Sequence, residues 1–495
     1  MESLWHATHP LEPSPDVLEP GARYDTVVAG AGLTGLSAAV LLARAGHTVA
    51  VLEARRIGAV TTGGTTGKLS VLQGTVLSQI RRFHSDDVLR AYVEGNLEGA
   101  AWLRRFLAEQ GQELQPRPAF TYATTPEGAK ELRAELEAAK VGGLDAHWTD
   151  QTELPFDVTG AIVVQDQAQL HPMPVLQALV AELRSHGGVV IEGVRVKDAE
   201  SKSPMRIRTS QGDVHADRLI LATGTPILDR GGYFAKLVPQ RSYIVSFRVP
   251  GDAPSIPQGM YLGIDGEGRS LRSAAVADGE LLLVGGNGHV TARTDSERAA
   301  VEDLASWTGM HYPGAERTHA WSAQDYRTLN RVPFVGELPR GGGAIWLATG
   351  YNKWGLSNAV AAALSLSGQI LGGHMEWAQT LGTRLTKPAG IVEAVTTNAE
   401  VAATLAGDWA RTVLHKPEPP AEGEGSVGRE GTTVVAQSTV DGVTCRVSGV
   451  CTHLGGVLRW NDAERSWDCP LHGSRFAADG KLLEGPAVDD LSHID

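Results

Sequence analysis

The sequence predicts a mixed α/β chain followed by a chemically distinct C-terminal unit. Three observations carry that expectation: a strand–glycine loop–helix–strand run at 24–53, two later strands ending in small residues and glycine, and a tail beyond residue 427 that holds all three cysteines. With 495 residues, at about 150 per domain, there is room for roughly three domain-sized units. Apolar residues make up 42% and charged residues 20%, an ordinary globular balance. The 58 glycines and 6% aromatics point to tight turns and close backbone approaches. Net charge is −13, which argues against a phosphate-tracking nucleic-acid binder. No apolar run is long enough for a membrane span, and residues 1–20 lack the basic and apolar regions of a secretory signal. Three cysteines make no disulfide framework, so a cytoplasmic protein is expected.

The first element is a β-branched strand, Tyr24 to Ala29; a buried helix follows from Leu36 to Ala45, stopped by Gly46, and then a strand from Thr48 to Leu52. Between strand and helix lies Gly30-x-Gly32-x-x-Gly35. The first glycine makes the tight turn, the second admits a pyrophosphate to the backbone, and the third lets helix and strand pack closely. The helix N-terminus favours the phosphates, and Glu53 stands where a carboxylate bonds an adenosine ribose. The same pattern at Gly423, Gly425 and Gly428 falls in a Pro/Glu/Gly-rich stretch with no strand before it and reads as linker. One credible fingerprint implies one dinucleotide. Further strands, Arg218 to Ala222 and Ala344 to Ala348, lead into Thr223-Gly224 and Thr349-Gly350 and suit a long cofactor lying across a sheet edge.

These residues, with DRLILATG at 217–224, WSAQDYRTLNRVPFVGEL at 321–338 and GYNKWGLSNAVAAALSLSGQIL at 350–371, resemble the FAD-dependent D-amino acid oxidase superfamily (glycine oxidase, sarcosine oxidase and relatives) over about 24–385. The resemblance implies FAD, held by Gly30, Gly32, Leu33, Thr34, Gly35, Glu53, Ala54, Thr66, Val196, Thr223, Gly224, Gly350, Trp354, Gly355 and Leu356. It also implies that the last helix starts near Gly355 with its amides at the flavin N1–O2 edge. The glycine- and threonine-rich loop 57–68 is expected to approach the isoalloxazine.

The tail carries Cys451-Thr452-His453 and, after residues 454–468, Cys469-Pro470-Leu471-His472. Two thiolates on one iron and two imidazoles on the other make the ligand set of a Rieske [2Fe–2S] centre; one tetrahedral zinc is the competing reading. The flanking CTHLGG and CPLHGSRF resemble Rieske loops, which favours the cluster with Cys451, His453, Cys469 and His472 as ligands. Against respiratory-type Rieske proteins, Gly456 and Leu471 replace the two cysteines of the loop-tying disulfide. Ser474 is retained as the expected donor to a cluster sulfide, and Phe476 replaces a tyrosine. Losing that hydroxyl is expected to lower the potential within the roughly −150 to +300 mV Rieske range. Cys445 is expected to be a free, partly buried thiol. A Rieske dioxygenase would need a mononuclear iron site; here the rest of the chain is a flavoprotein, and the Rieske unit is C-terminal. The combination resembles D-amino acid oxidase-type oxidoreductases with a C-terminal Rieske domain, a group that Ser3-Leu4-Trp5 also fits.

The expected architecture is therefore an α/β (α+β) flavoprotein with a Rossmann-like FAD-binding domain (about 24–105, 156–231 and 323–385), an interleaved substrate domain (about 106–155 and 232–322), a helix and linker (386–426), and a small all-β Rieske domain (427–495). The helix around 396–414 is expected to pack on the flavin domain, and 415–428 to be linker. Arg241, Arg269 and Arg272 are candidates for binding a substrate carboxylate; Tyr243, His289 and Lys353, with Arg272, are the candidate catalytic groups, and His171 is expected to cap a helix. The expected function is oxidation of a small amine, amino acid or related donor by hydride transfer to FAD, with electrons relayed singly through the cluster to an external acceptor. A reductase running in the opposite direction, or a redox sensor with little turnover, fits the same residues.

Overall fold

The computed structural model describes residues 1–112, 114–414 and 416–494. Its first sheet is built on β1 (Arg23–Ala29), with β2 (Val49–Leu52) and β3 (Gly212–Leu221) parallel on either side. All four β2 residues are buried, as expected of a strand covered on both faces. β7 (Ile345–Thr349) adds parallel to β3, Val189–Ile191 flanks β2, and Met205–Thr209 and Val196–Ala199 extend the other edge. Helix α1 (Leu33–Arg44) starts earlier than the apolar pattern predicts because Gly32, extended at φ −86°, serves as its N-cap. The third fingerprint glycine shows its packing role directly: a Cβ on Gly35 would lie 2.0 Å from the Gly30 carbonyl oxygen. α1 packs against Pro172–Ser185 and α3 (Gly355–Ile370), and α3 in turn packs on α2 (Asp86–Glu109). His171 caps the Pro172–Ser185 helix as expected, accepting from the Met173 N–H.

The second sheet runs β6 (Glu316–Thr328), β4 (Leu237–Arg248), β5 (Gly279–Val290), Ser270–Val276, Met260–Gly263, Ala119–Ala123, Gly160–Val164 and Ala146–Thr149. This corrects two expected boundaries. Gly160–Val164 pairs with Ala119–Ala123 and so leaves the FAD-binding part, and β6 stays in the second sheet to Thr328. A short, wholly buried apolar strand carries no sign of which sheet it joins.

The C-terminal unit is all-β: a three-stranded sheet (Gly425–Glu430, Thr433–Val440, Val443–Ser448) and a four-stranded one (Arg459–Asn461, Ser466–Asp468, Arg475–Ala477, Leu482–Glu484). Two further corrections follow. The expected linker ends sooner than residue 428, because Gly425–Glu430 is a strand; just before it the Trp460 indole donates to the Gly423 carbonyl, and Glu422 accepts from the N–H groups of Asp441 and Gly442. The long helix α4 (Pro388–Leu414) bridges rather than packing on one domain. Glu393 pairs with Arg327 and Arg331, while Val401 and Leu405 join the C-terminal core and Asp408 pairs with Arg459. Its alanine-rich periodicity shows a helix with an apolar stripe but does not name the partner. Among the described residues, no helix is long and apolar enough to cross a membrane.

The crossing of α2 and α3 allows little slack. A Cβ on Gly99 would stand 2.7 Å from both the Ala361 nitrogen and the Ser357 carbonyl oxygen. Gly99→Ala is expected to destabilise by about 1–3 kcal/mol, read as a lower thermal midpoint, because both obstacles are backbone.

Candidate functional site

One cavity opens at the carboxyl edge of the first sheet, where β1, β2, β3 and β7 end. Two helices point their N-termini at it, α1 through Gly32 and α3 through Trp354; neither N-cap residue supplies a side-chain cap, and in the first turn of α1 the Leu33 N–H donates to Thr62 Oγ1 at 3.2 Å, beside first-turn groups left open. Uncapped first-turn N–H groups carry partial positive charge and suit an anionic, acceptor-rich ligand. Glu53 lines the cavity and accepts from the N–H groups of Ala31 (2.9 Å) and Arg55 (2.8 Å), which fix its carboxylate. Of the residues expected to hold FAD, Gly30, Gly32, Leu33, Thr34, Glu53, Ala54, Val196, Thr223, Gly224, Gly355 and Leu356 line the cavity. Gly35 lies behind it as packing. Thr66, Gly350 and Trp354 do not line it: the Thr66 carbonyl accepts from Arg272, Gly350 (φ +85°) turns the chain against Thr328, and Trp354 packs on a neighbouring core. From the 57–68 loop, Gly58 to Thr62 and Thr65 form part of the wall.

Among the candidate catalytic groups only Lys353 lines the cavity. It sits in the left-handed region at φ +70°, and its backbone N–H donates to the Asp325 carboxylate. Burial pushes the Asp325 carboxyl up to about 6 and lowers the Lys353 ammonium, so the site disfavours both charges. Tyr243 and His289 meet, with the hydroxyl 2.9 Å from Nε2, but neither lines the cavity. The three arginines have internal partners instead of facing the cavity. Arg269 binds Asp303 and Asn287, and Arg241 binds Glu464. Arg272, expected as a substrate group, donates to the carbonyls of Ser273 and Thr66 and lies over Trp5.

In the C-terminal unit two similar loops face each other. The Cys451 N–H donates to the Gly456 carbonyl, and the Cys469 N–H to that of Ser474 (2.8 Å each). Both thiols are buried and share a hydrogen bond. The His453 and His472 rings stand 5.2 Å apart and nearly perpendicular. His453 Nδ1 is buried without a partner while its Nε2 faces Asp229 Oδ1 at 3.2 Å; an oriented imidazole with a vacant nitrogen is what a metal ligand requires. The residues therefore fit a cluster. A Cβ on Gly456 would meet Leu471 Cδ1 at 2.8 Å, so an apolar contact occupies the place of the respiratory disulfide. Ser474 reaches the Cys451 sulfur, Phe476 is fully buried, and Cys445 is free and half-buried.

The two sites adjoin. Phe234 packs against both histidine rings, at 5.9 and 5.2 Å. Leu483, Glu484, Gly485 and Val488 of the C-terminal unit line the same cavity as the fingerprint. Nothing in the sequence signalled that contact. Gln324, Asp325 and Tyr326, also in the wall, lay within the stretch that carried the resemblance, and their polarity in a buried strand was the only clue to them.

Residues 25–367 match the family model described as FAD dependent oxidoreductase (DAO), well over half of the chain. The chain belongs to that family. Residues 412–495 match the Rieske [2Fe–2S] domain model. The protein is thus an FAD-dependent oxidoreductase with a Rieske [2Fe–2S] domain. Similarity to YhfW of Bacillus subtilis (strain 168), a protein named for a Rieske 2Fe–2S iron–sulfur centre, runs at 28% identity over the whole of this chain and 97% of that one. Gamma-glutamylputrescine oxidoreductase of Escherichia coli (strain K12) is 26% identical over 69% of this chain and 82% of its own length. Glycine oxidase from Geobacillus kaustophilus shares the fold, with a TM-score of 0.60 at 20% identity, over 72% of this chain and 96% of that one.

Glu53→Gln is expected to weaken FAD binding about 10–100-fold, measured by flavin retention on dilution, since it exchanges charge-assisted acceptors for a neutral one. Cys451→Ser is expected to lose the iron and the Rieske EPR signal while flavin absorbance persists, because the two sets of ligating residues do not overlap.

Proposed function

We propose that this oxidoreductase removes hydride from a small amine or amino acid and passes the electrons, one at a time, to an acceptor outside the chain. FAD supplies a hydride acceptor, and the Rieske cluster a one-electron carrier. The observation that carries the reading is the wall shared by the fingerprint and Leu483–Gly485: one cavity is built by both redox domains. The wall also supports the substrate class. In this reading Asp325 accepts the proton that the substrate's ammonium gives up before hydride leaves, and Lys353 pairs with its carboxylate; Leu356 and Val60 supply apolar surface that helps exclude water. An amine substrate also agrees with the activity named for the Escherichia coli relative.

The test is anaerobic mixing with amines, amino acids and hydroxy acids, following flavin absorbance and the reduced-cluster EPR signal together. Bleaching followed by growth of the signal is expected; bleaching with the cluster left oxidised refutes the relay. For an amino-acid substrate, Lys353→Met is expected to raise KM about 10–100-fold with kcat changed far less. Because the Asp325 pKa is raised to about 6, its charge is present above that pH and lost as pH falls through it. In that acid limb kcat/KM is expected to drop about tenfold per pH unit, and Asp325→Asn should flatten it.

A further inference from the structure

The contact between the two domains has the chemistry of a fixed joint. Gln324 lies at its centre, 1% exposed, in the wall of the flavin cavity. Its side-chain Nε2 donates to the Gly473 carbonyl at 2.7 Å, one residue from the cluster ligand His472, and to the Tyr326 hydroxyl at 3.0 Å. Its Oε1 accepts from Thr291 at 2.9 Å, and its backbone carbonyl from Thr61, on the glycine-rich loop of the cavity, at 2.6 Å. Tyr326 then donates to the Gly485 carbonyl at 3.2 Å. Both polar atoms of one amide are therefore used, and residues of β6 hold both the 469–474 loop, through Gly473, and the cavity segment, through Gly485.

Around this centre the joint is polar and closed. Arg293 donates to the Pro470 carbonyl, Arg459 to that of Ala292, and Arg195 to that of Leu482. Gly473 (φ +80°) has room only for hydrogen, since a Cβ would meet Pro239 Cβ at 2.6 Å. The second cluster loop, 469–474, is buried throughout. Separating the domains would leave these donors and acceptors to be solvated together, and no single one could be given up without stranding another in a closed interface.

We propose that Gln324 is the positioning residue that fixes the His472 loop to the flavin cavity, and that the Rieske domain stays docked there through turnover instead of swinging to a distant partner. This deepens the relay reading and rests on it only for the consequence for electron transfer. The histidine edge of the cluster faces Phe234 and Asp229, so an external acceptor must approach another face of the domain.

Hydroxyl-radical footprinting of the holoprotein tests the docking without turnover. With flavin bound, as its absorbance verifies in each sample, Tyr326 becomes accessible when the cluster domain lifts, whereas Tyr92 is buried in the flavin domain away from the joint and serves as the internal reference. In the native protein Tyr326 is expected to be oxidised no faster than Tyr92. In Gln324→Leu and in Gln324→Glu it is expected to be labelled several-fold faster, with Tyr92 unchanged. The glutamate variant separates the amide from its volume, because a carboxyl fills the space but carries at most one proton and cannot donate to Gly473 and Tyr326 together. Native Tyr326 labelled well above Tyr92 overturns the fixed joint, and this measurement stands even if neither variant folds. A glutamate variant labelled like the native protein overturns the role of the amide. If Tyr326 is protected but no substrate reduces the cluster, the relay reading fails and the docking survives.

Discussion

The structure turns on a buried cluster of charge between the domains. Glu464 accepts from Arg241 of the substrate sheet, from Arg475 of its own domain at 2.9 Å and from the Ser322 hydroxyl at 2.8 Å. Arg475 also binds Asp468 and Glu484. Burial alone would raise the Glu464 carboxyl, yet the two guanidinium groups hold it down to about 2. Buried pairs of this kind roughly break even against apolar packing, but removing one partner typically costs about 3–5 kcal/mol. Their effect is on orientation. Arg241 keeps Nε and Nη1 without hydrogen bonds, and Nη1 stands 3.9 Å from Glu484, so the arrangement tolerates few alternative positions.

Glu484 ties this cluster to the chemistry. The arginines that hold it also set where Leu483 and Gly485 meet the cofactor cavity. Flavin site and iron–sulfur domain are therefore not independent modules joined by a tether. α4 reinforces the point, since it is anchored to the flavoprotein part through Glu393, which pairs with Arg327 at the end of β6, and to the Rieske core through Val401, Leu405 and Asp408.

What was legible in the sequence was local. Gly30 to Glu53 carries its own geometry in strand, turn and helix, and the two Cys–His loops carry theirs in spacing and flanks. What was not legible depends on distant pairing. Arg241 and Arg272 read alike as carboxylate binders, and only the face of each strand decides that one meets Glu464 and the other Thr66 and Ser273. Gly160–Val164 was ambiguous because a fully buried strand has no polar face to mark its layer. Residues 483–488 gave no sign of entering a cavity whose other residues lie more than a hundred positions away.

The contact between Gly456 and Leu471 has a consequence for durability. Where two loops are tied by a covalent sulfur–sulfur bond, a thiol reductant can untie them. Here the loops are held by an apolar side chain resting on a bare backbone, within 3 Å of the place where a Cβ would be. Reductants find no bond to cut there. The grip of this protein on its iron should therefore be indifferent to the thiol poise of its surroundings.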